Sequence, residues 1–274
     1  MSASSPVATK LAISPENTRL TCFLLIYTVP GMSANTAIEW TEATWNPVSG
    51  CTKLSRGCDN CYAERLAERF RGVPNHPFER GFDLTLRPHK LLEPISWRRP
   101  RRVFVNSMSD VFHKEIPTTF VDQIFDTMEQ AHWHVFQILT KRSSLMRRYV
   151  NRRYAGSRAP KHIWLGVTVE DRSSIGRIRH LADTAGAVRF VSFEPLLEAL
   201  GKVDLAGIHW AIAGGESGPG ARPVHAEWIR SIRDQCRTEG VAFFFKQWGG
   251  RTSKAGGNQL DGRQWMQYPD SATA

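Results

Sequence analysis

Short apolar runs alternate with amphipathic stretches between residues 32 and 250. The runs are continuous and apolar, which is typical of buried parallel strands. The stretches between them carry apolar residues at helical spacing, and Gly186 and Gly240 mark two helix ends. The predicted strands are 44–48, 103–106, 135–140, 163–169, 188–193, 208–213 and 241–246, and the predicted helices are 62–71, 118–131, 143–150, 172–184 and 226–238.

Repetition of strand and helix predicts an α/β fold, either a doubly wound sheet or a partial or complete (β/α) barrel. In both architectures the active site lies at the C-terminal ends of the strands. Polar residues occur at the C-terminal ends of six of the seven predicted strands, which favours a polar cavity at one rim of a barrel. These groups are 106–110, 140–141, 168–171, 194–195, 214–218 and 246–250.

The first 31 residues do not continue this pattern. Their one apolar run, 22–29, is too short to cross a bilayer, although with its flanks it imitates a signal peptide. We expect a disordered extension or an upstream misread start, because export would carry clustered thiols into an oxidising space. The predicted organisation is therefore an extension (1–31), a cytoplasmic barrel (32–250) and a C-terminal tail (251–274), with no membrane segment.

Composition fits a globular protein, since 41% of the 274 residues are hydrophobic and 23% are charged. The net charge of +10 has two interpretations, because 27 of the 36 basic residues are arginines and genome composition alone can produce that bias. Basic residues cluster at 98–102 and 141–161. Such clusters are typical of phosphate binding and equally of solvated helix faces. Nucleic acid is therefore a candidate partner.

Three of the five cysteines, Cys51, Cys58 and Cys61, lie within eleven positions as C-x6-C-x2-C. An odd number with this clustering argues against disulfides and favours a metal or cluster site in a reducing compartment. Lys53 and Arg56 within the loop are expected to favour ionised thiols. The clustered cysteines are thus the main candidate for chemistry.

The number of clustered thiols leaves two kinds of metal site open. A closed zinc site needs four ligands, and His76 or His89 could supply the fourth. A cubane cluster held by three cysteines instead leaves one iron open to a small-molecule ligand. We favour the cluster and assign no function to Cys22 or Cys236, the latter being an expected core residue.

The order of short motifs resembles a known superfamily. A three-cysteine loop after the first strand, with Tyr62 directly after Cys61, resembles the radical S-adenosylmethionine superfamily, although the usual spacing there is C-x3-C-x2-C. The chain is more closely similar to a phage and bacterial three-cysteine-motif family of unknown function, related to the spore-photoproduct-lyase-like branch. The motifs that carry this resemblance are 44–51, 57–64, 106–112, 139–142, 164–170, 192–196, 214–217 and 245–249.

The resemblance implies a TIM-like barrel of the radical S-adenosylmethionine type and an enzyme with two cofactors. Cys51, Cys58 and Cys61 would bind a 4Fe–4S cluster, and S-adenosylmethionine would chelate its fourth iron. Reductive cleavage of S-adenosylmethionine would then start radical chemistry on an unknown substrate, for which nucleic acid is a candidate. A genetically linked partner protein is also implied. The alternative is a non-enzymatic, zinc- or cluster-stabilised nucleic-acid-binding protein of phage origin.

Six further residues are candidates for cofactor contacts. Three of them occupy the place where superfamily members present a Gly-Gly-Glu-like segment, which is missing here in its usual form; these are Asn106, Ser107 and Asp110. The other three, Thr168, Glu170 and Glu194, sit where ribose or methionyl contacts are expected, or serve as buried hydrogen-bonding residues. The glycine-rich segment 214–218 is a candidate phosphate cradle. The six residues are Asn106, Ser107, Asp110, Thr168, Glu170 and Glu194.

Overall fold

The computed structural model describes residues 36–269, so the predicted extension 1–31 lies outside the described residues. Strands and helices alternate along the described chain, as predicted. The strands are β1 Ala43–Trp45, β2 Val48–Ser49, β3 Thr85–Leu86, β4 Arg102–Val105, β5 Val135–Thr140, β6 Ile163–Thr168, β7 Val188–Phe193, β8 Trp210–Gly214, β9 Ala242–Gln247, β10 Gln259–Leu260 and β11 Arg263–Gln264. The helices are α1 Tyr62–Glu68, α2 Thr118–Gln130, α3 Ser143–Arg153, α4 Gly176–Ala182 and α5 Ala226–Glu239.

Seven parallel strands form the main sheet in the order β1-β4-β5-β6-β7-β8-β9. Each new strand is added on the same side of the previous one, whereas a doubly wound sheet reverses direction once. Among the described strands β1 does not pair with β9, so the sheet stays open. The predicted α/β fold is confirmed as a partial barrel.

The first predicted strand, 44–48, is two strands in the structure. β1 ends at Trp45, and β2 pairs antiparallel with β3, with Val48 opposite Leu86. Pro47 lies between them, and it has no N–H to donate to a ladder. The chain therefore leaves the main sheet before the cysteine loop begins.

The sheet carries a different apolar layer on each face. One face packs against α2, α3, α4 and α5, with Val103 and Val105 of β4 on that side. Phe104, between them, faces the opposite side, as strand alternation requires. That side bears a cluster that we call the aromatic layer, in which Trp40 and Phe104 have ring centroids 4.7 Å apart. Its aromatic members are Trp40, Phe104, Trp164, Phe190, Trp210 and Phe244.

The segment after Gly250, predicted as a tail, contributes to the core as far as it is described. Leu260 is fully buried and Trp265 is 7% exposed. The backbone N–H of Phe245 donates to the carbonyl of Trp265 at 2.8 Å, so this segment runs along β9 and covers the edge of the sheet. The described part of this segment therefore packs against the barrel.

No helix in residues 36–269 is long and apolar enough to cross a membrane.

Candidate functional site

One cavity of about 580 Å³ lies at the C-terminal ends of the parallel strands. Trp40 and Phe104 of the aromatic layer contribute to its lining, together with polar residues in the last positions of six strands or directly after them. The predicted polar rim is thus brought together in one place. Eight of the nine sequence candidates line this cavity, namely Cys51, Cys58, Cys61, Asn106, Ser107, Asp110, Thr168 and Glu194.

The three clustered cysteines are free, half-buried thiols on the cavity wall. Cys58 ends a short 3-10 turn, and Cys61 directly precedes α1. Among the described residues, no group of three or more His, Cys, Asp or Glu side chains could hold a single metal ion. The thiols therefore share a cavity without forming a mononuclear ligand set.

Neither histidine suggested as a fourth zinc ligand lines the cavity. The His76 ring stacks on Phe70 with centroids 3.8 Å apart, and its Nδ1 accepts from the backbone N–H of Phe78. His89 lies in a 3-10 helix after β3. Both histidines therefore lie outside the cavity wall that carries the three thiols.

Arg142 is the cation that reaches a clustered thiol, and it comes from outside the loop. Its Nη1 lies 3.4 Å from the Sγ of Cys51. Lys53 instead pairs with Glu64 at 3.0 Å. Burial raises the pKa of the Cys51 thiol, and the Arg142 guanidinium opposes that rise. The basic run 141–161 contained this residue, but its spacing gave no sign that it would meet Cys51.

Asp110 is buried and its carboxylate is already occupied. It accepts from Arg142 Nη1 at 3.0 Å, from Thr140 Oγ1 at 2.7 Å and from the backbone N–H of Phe112 at 2.9 Å. The backbone N–H of Lys141 donates to it as well, at 3.2 Å. Such a carboxylate is poorly suited to bind a cofactor amine directly. Its contacts instead hold Arg142 beside Cys51.

Glu170 is the one sequence candidate that does not line the cavity. Its side chain is fully buried and pairs with Arg177 at 2.6 Å. The Ser55 hydroxyl of the cysteine loop also donates to it. A Cβ on Gly57 would lie only 3.1 Å from this carboxyl, so the loop packs directly against it. Glu170 therefore supports the cysteine loop from beneath.

Asn106 lines the cavity and carries an unpaired side-chain amide. The residue is 2% exposed, and its backbone φ is +59°. Its Oδ1 accepts from the backbone N–H of Val48 at 3.3 Å, but its buried Nδ2 has no partner among the described residues. An unsatisfied buried donor costs about 1–3 kcal/mol. Asn106 is thus suited to donate to a ligand in the cavity.

A second, partly buried ion pair lies on the cavity wall at the ends of β7 and β9. Glu194 accepts from Lys246 Nζ at 2.5 Å, and both side chains line the cavity. Tyr62 also lines the cavity, where it is 52% exposed, and its hydroxyl donates to the Ser107 carbonyl at 2.6 Å. Thr168 is 2% exposed on the same lining. The wall therefore offers a fixed carboxylate, an ammonium group and a phenol ring.

The glycine-rich segment 214–218 braces the cysteine loop by side-chain contacts. Glu216 accepts from Arg222 Nη2 at 2.6 Å and from Asn60 Nδ2 at 2.9 Å, and Arg222 also donates to Asp59 at 3.1 Å. We call these four residues the loop clasp. Burial opposes ionisation of Glu216, but the hydrogen bonds from Arg222 and Asn60 hold its pKa below the ordinary value. A Cβ on Gly215 would lie 2.1 Å from the Trp248 carbonyl, so this glycine permits close backbone packing.

Comparison with known proteins identifies a family. The model of a family described as "Protein of unknown function (DUF5131)" matches residues 35–269. The chain belongs to this family. No curated protein matches it.

Two solved structures are similar at low identity. One is spore photoproduct lyase complexed with dinucleoside spore photoproduct, with a TM-score of 0.41. The other is a double mutant of spore photoproduct lyase with bound AdoMet and dinucleoside spore photoproduct, with a TM-score of 0.39. Each is 10% identical and covers 71% of this chain, which spans 61% of the solved chain. At these values the likeness carries no argument about the cavity.

The basic clusters of this family member lie mostly away from the cavity. Arg98 and Arg99 are exposed and precede β4, and Lys161 is exposed two residues before β6. These positions are at the N-terminal ends of the strands, opposite the cavity. Within the two clusters, Lys141 and Arg142 are the residues that line it. The charge clusters therefore do not locate the candidate site.

Proposed function

We propose that this chain is a radical S-adenosylmethionine enzyme. In this proposal Cys51, Cys58 and Cys61 hold a 4Fe–4S cluster, and the adjoining cavity binds S-adenosylmethionine. The observation that carries the proposal is that all three thiols line one cavity at the C-terminal rim of a partial barrel. That rim is where barrel enzymes place their active sites.

The number of clustered thiols favours a cluster over a single zinc ion. A closed zinc site needs four ligands, and His76 and His89, the two histidines suggested for the fourth position, do not line the cavity. A cubane cluster held by three cysteines leaves one iron open to a small-molecule ligand.

When bound, the two cofactors supply the electron and the sulfonium whose reductive cleavage releases a 5′-deoxyadenosyl radical for hydrogen abstraction. The chain's own residues would bind and orient S-adenosylmethionine. Asn106 Nδ2 would donate to one of its oxygen atoms, and Glu194, fixed by Lys246, would accept from its amine or ribose hydroxyls. Trp40 and Phe104 would exclude water from this part of the cavity.

Nucleic acid is a candidate substrate. Arg69 and Lys141 line the cavity, and neither has an acidic partner among residues 36–269. Two such cations favour an anionic substrate. We further propose a cytoplasmic location, since the three free thiols require a reducing compartment. A genetically linked partner protein stays a prediction.

Anaerobic purification and reconstitution with iron and sulfide test the proposal. The expected product is brown, absorbs at about 400 nm and carries about four irons per chain. The triple variant Cys51→Ala/Cys58→Ala/Cys61→Ala should lose both signals. Cys236→Ala is the matched control and should keep them, because Cys236 is buried in α5. A colourless wild-type protein that holds one zinc ion would contradict the proposal.

A further inference from the structure

Arg142 occupies a closely defined position between the end of β5 and the cysteine loop. Its Nη1 donates to Asp110 Oδ2 at 3.0 Å and lies 3.4 Å from Cys51 Sγ. Its Nη2 donates to both the carbonyl and the hydroxyl oxygen of Thr52, each at 3.0 Å. The guanidinium therefore holds two consecutive residues of the loop.

The partners of Arg142 are themselves held in place. Asp110 is fixed by Thr140 and by two backbone N–H groups, and the Thr52 hydroxyl also lies 2.8 Å from His113 Nε2. The side chains of Arg142 and Asp110 are only 9% and 8% exposed. A planar guanidinium with this many fixed acceptors has little freedom to turn away from the sulfur.

Cys51 needs such a restraint more than the other two thiols do. Cys58 and Cys61 are separated by two residues, so the chain itself keeps them close. Six residues separate Cys51 from Cys58, across an irregular loop that contains one short 3-10 turn. Within the described chain, Arg142 is the residue whose basic side chain donates to a clustered thiol.

We propose that Arg142 is a positioning residue that fixes Cys51 for the cluster and raises the reduction potential of that cluster. Reduction adds one electron, taken from a low-potential one-electron donor, and so adds negative charge. A cationic donor at the sulfur stabilises the reduced form more than the oxidised form. This inference rests on the proposed function, because it requires that Cys51 be a cluster ligand.

The test compares Arg142→Met with Lys141→Met in the reconstituted full-length protein. Both variants lose one positive charge at the cavity, but Lys141 makes no contact with a thiol among the described residues. The midpoint potential is measured by electron paramagnetic resonance during titration with dithionite. We expect Arg142→Met to lower the equilibrium constant for reduction of the cluster about tenfold. For a one-electron step this corresponds to a midpoint potential about 59 mV more negative. Lys141→Met should stay close to wild type, and Arg142→Lys should lie between.

A second readout is the rate at which a chelator removes iron from the oxidised protein. Arg142→Met should lose iron about tenfold faster than Lys141→Met, because Cys51 is no longer held. The double variant Asp110→Asn/Arg142→Met leaves no buried carboxylate without its partner. It should lose iron as fast as Arg142→Met but show a smaller shift in potential, because the negative charge of Asp110 is removed as well. The rate of iron loss therefore keeps the test valid if the single variant folds poorly.

The outcomes separate this proposal from the one on which it rests. Wild-type protein that takes up no cluster contradicts the proposed function. A wild-type protein that holds about four irons, with Arg142 variants of unchanged potential and unchanged iron loss, overturns the role of Arg142 alone. Equal shifts in Lys141→Met and Arg142→Met also overturn it, since general charge would then explain the effect.

Discussion

The two ends of the parallel sheet differ in how they hold charge. At the C-terminal ends, Asp110, Glu194 and Glu216 each lie in an ion pair with a base. At the N-terminal ends, Arg98 and Arg99 are exposed on the segment before β4. The exposed basic pair Arg98–Arg99 and the candidate chemistry are therefore at opposite ends, so a run of basic residues is a poor guide to the site.

This contrast has an energetic basis. A charge buried in a pair leaves an uncompensated partner when it is removed, which costs several kcal/mol. An exposed charge is screened by water and salt, and its removal costs little. Variants at the two ends should therefore differ both in stability and in cofactor binding.

The largest effect is expected when the buried pair at the C-terminal end is broken. Asp110→Asn leaves Arg142 without its carboxylate, and we expect a loss of about 3–5 kcal/mol in the free energy of unfolding. The control is Asp183→Asn, which removes one partner of the exposed Arg147–Asp183 pair and should cost at most about 1 kcal/mol. Urea unfolding measures the free energy of unfolding of both variants. Equal losses would show that burial of the ion pair does not determine its contribution to stability.

A smaller effect is expected in the loop clasp. Glu216→Gln should lower the free energy of unfolding at pH 7 by about 1–3 kcal/mol, because Arg222 and Asn60 lose a charged acceptor. The folded protein holds the pKa of Glu216 below its ordinary value of 4.5. Its contribution is therefore complete above pH 4.5 and disappears as pH falls through the folded-state pKa.

Unfolding at pH 7 and in steps below pH 4.5 checks this dependence. The difference between wild type and Glu216→Gln should shrink as the solution becomes more acidic. A difference that stays constant through the whole range would show that the carboxylate charge is not what stabilises the clasp.

Asn106→Gly is expected to weaken cofactor binding. Glycine keeps the positive φ of this position and removes the unpaired amide, but it also removes the Oδ1 that accepts from the backbone N–H of Val48. We expect the affinity for S-adenosylmethionine to fall about threefold to tenfold, the usual contribution of one hydrogen bond. Calorimetric titration of the reconstituted protein measures the affinity, and an unchanged value would remove Asn106 from the binding site.

The smallest effect is expected at the N-terminal ends. Arg98→Ala/Arg99→Ala should change the free energy of unfolding by no more than about 0.5 kcal/mol, since both side chains are exposed. Its affinity for S-adenosylmethionine should equal that of wild type. A clear loss of cofactor affinity would show that the two ends are not independent.

The sequence predicted the sheet well because the periodic signal is local. Each strand from β4 to β9 is a continuous apolar run, and α2, α3 and α5 show clear helical spacing. The break at Pro47 was missed because the runs on either side of it looked like one strand. The packing of Leu260 and Trp265 was missed because residues after 250 carry no periodic pattern.

The site was predicted in part for the same reason. Positions directly after strands identify cavity residues such as Asn106 and Glu194, since parallel strands end at one rim. Contacts between distant segments leave no local signal, which is why Arg142, Arg177 and Arg222 were not recognised as supports of the cysteine loop. The sequence places Glu170 at the end of the correct strand, but its side chain pairs with Arg177 and does not line the cavity.

If the three thiols at the C-terminal rim serve cleavage of S-adenosylmethionine, as we propose, the reaction is measurable without a known substrate. Reconstituted protein is incubated anaerobically with dithionite and S-adenosylmethionine, and 5′-deoxyadenosine is quantified by chromatography. Wild type and Cys236→Ala should form it, and Cys51→Ala/Cys58→Ala/Cys61→Ala should form none. Wild-type protein that holds the cluster but forms no 5′-deoxyadenosine would contradict the claim.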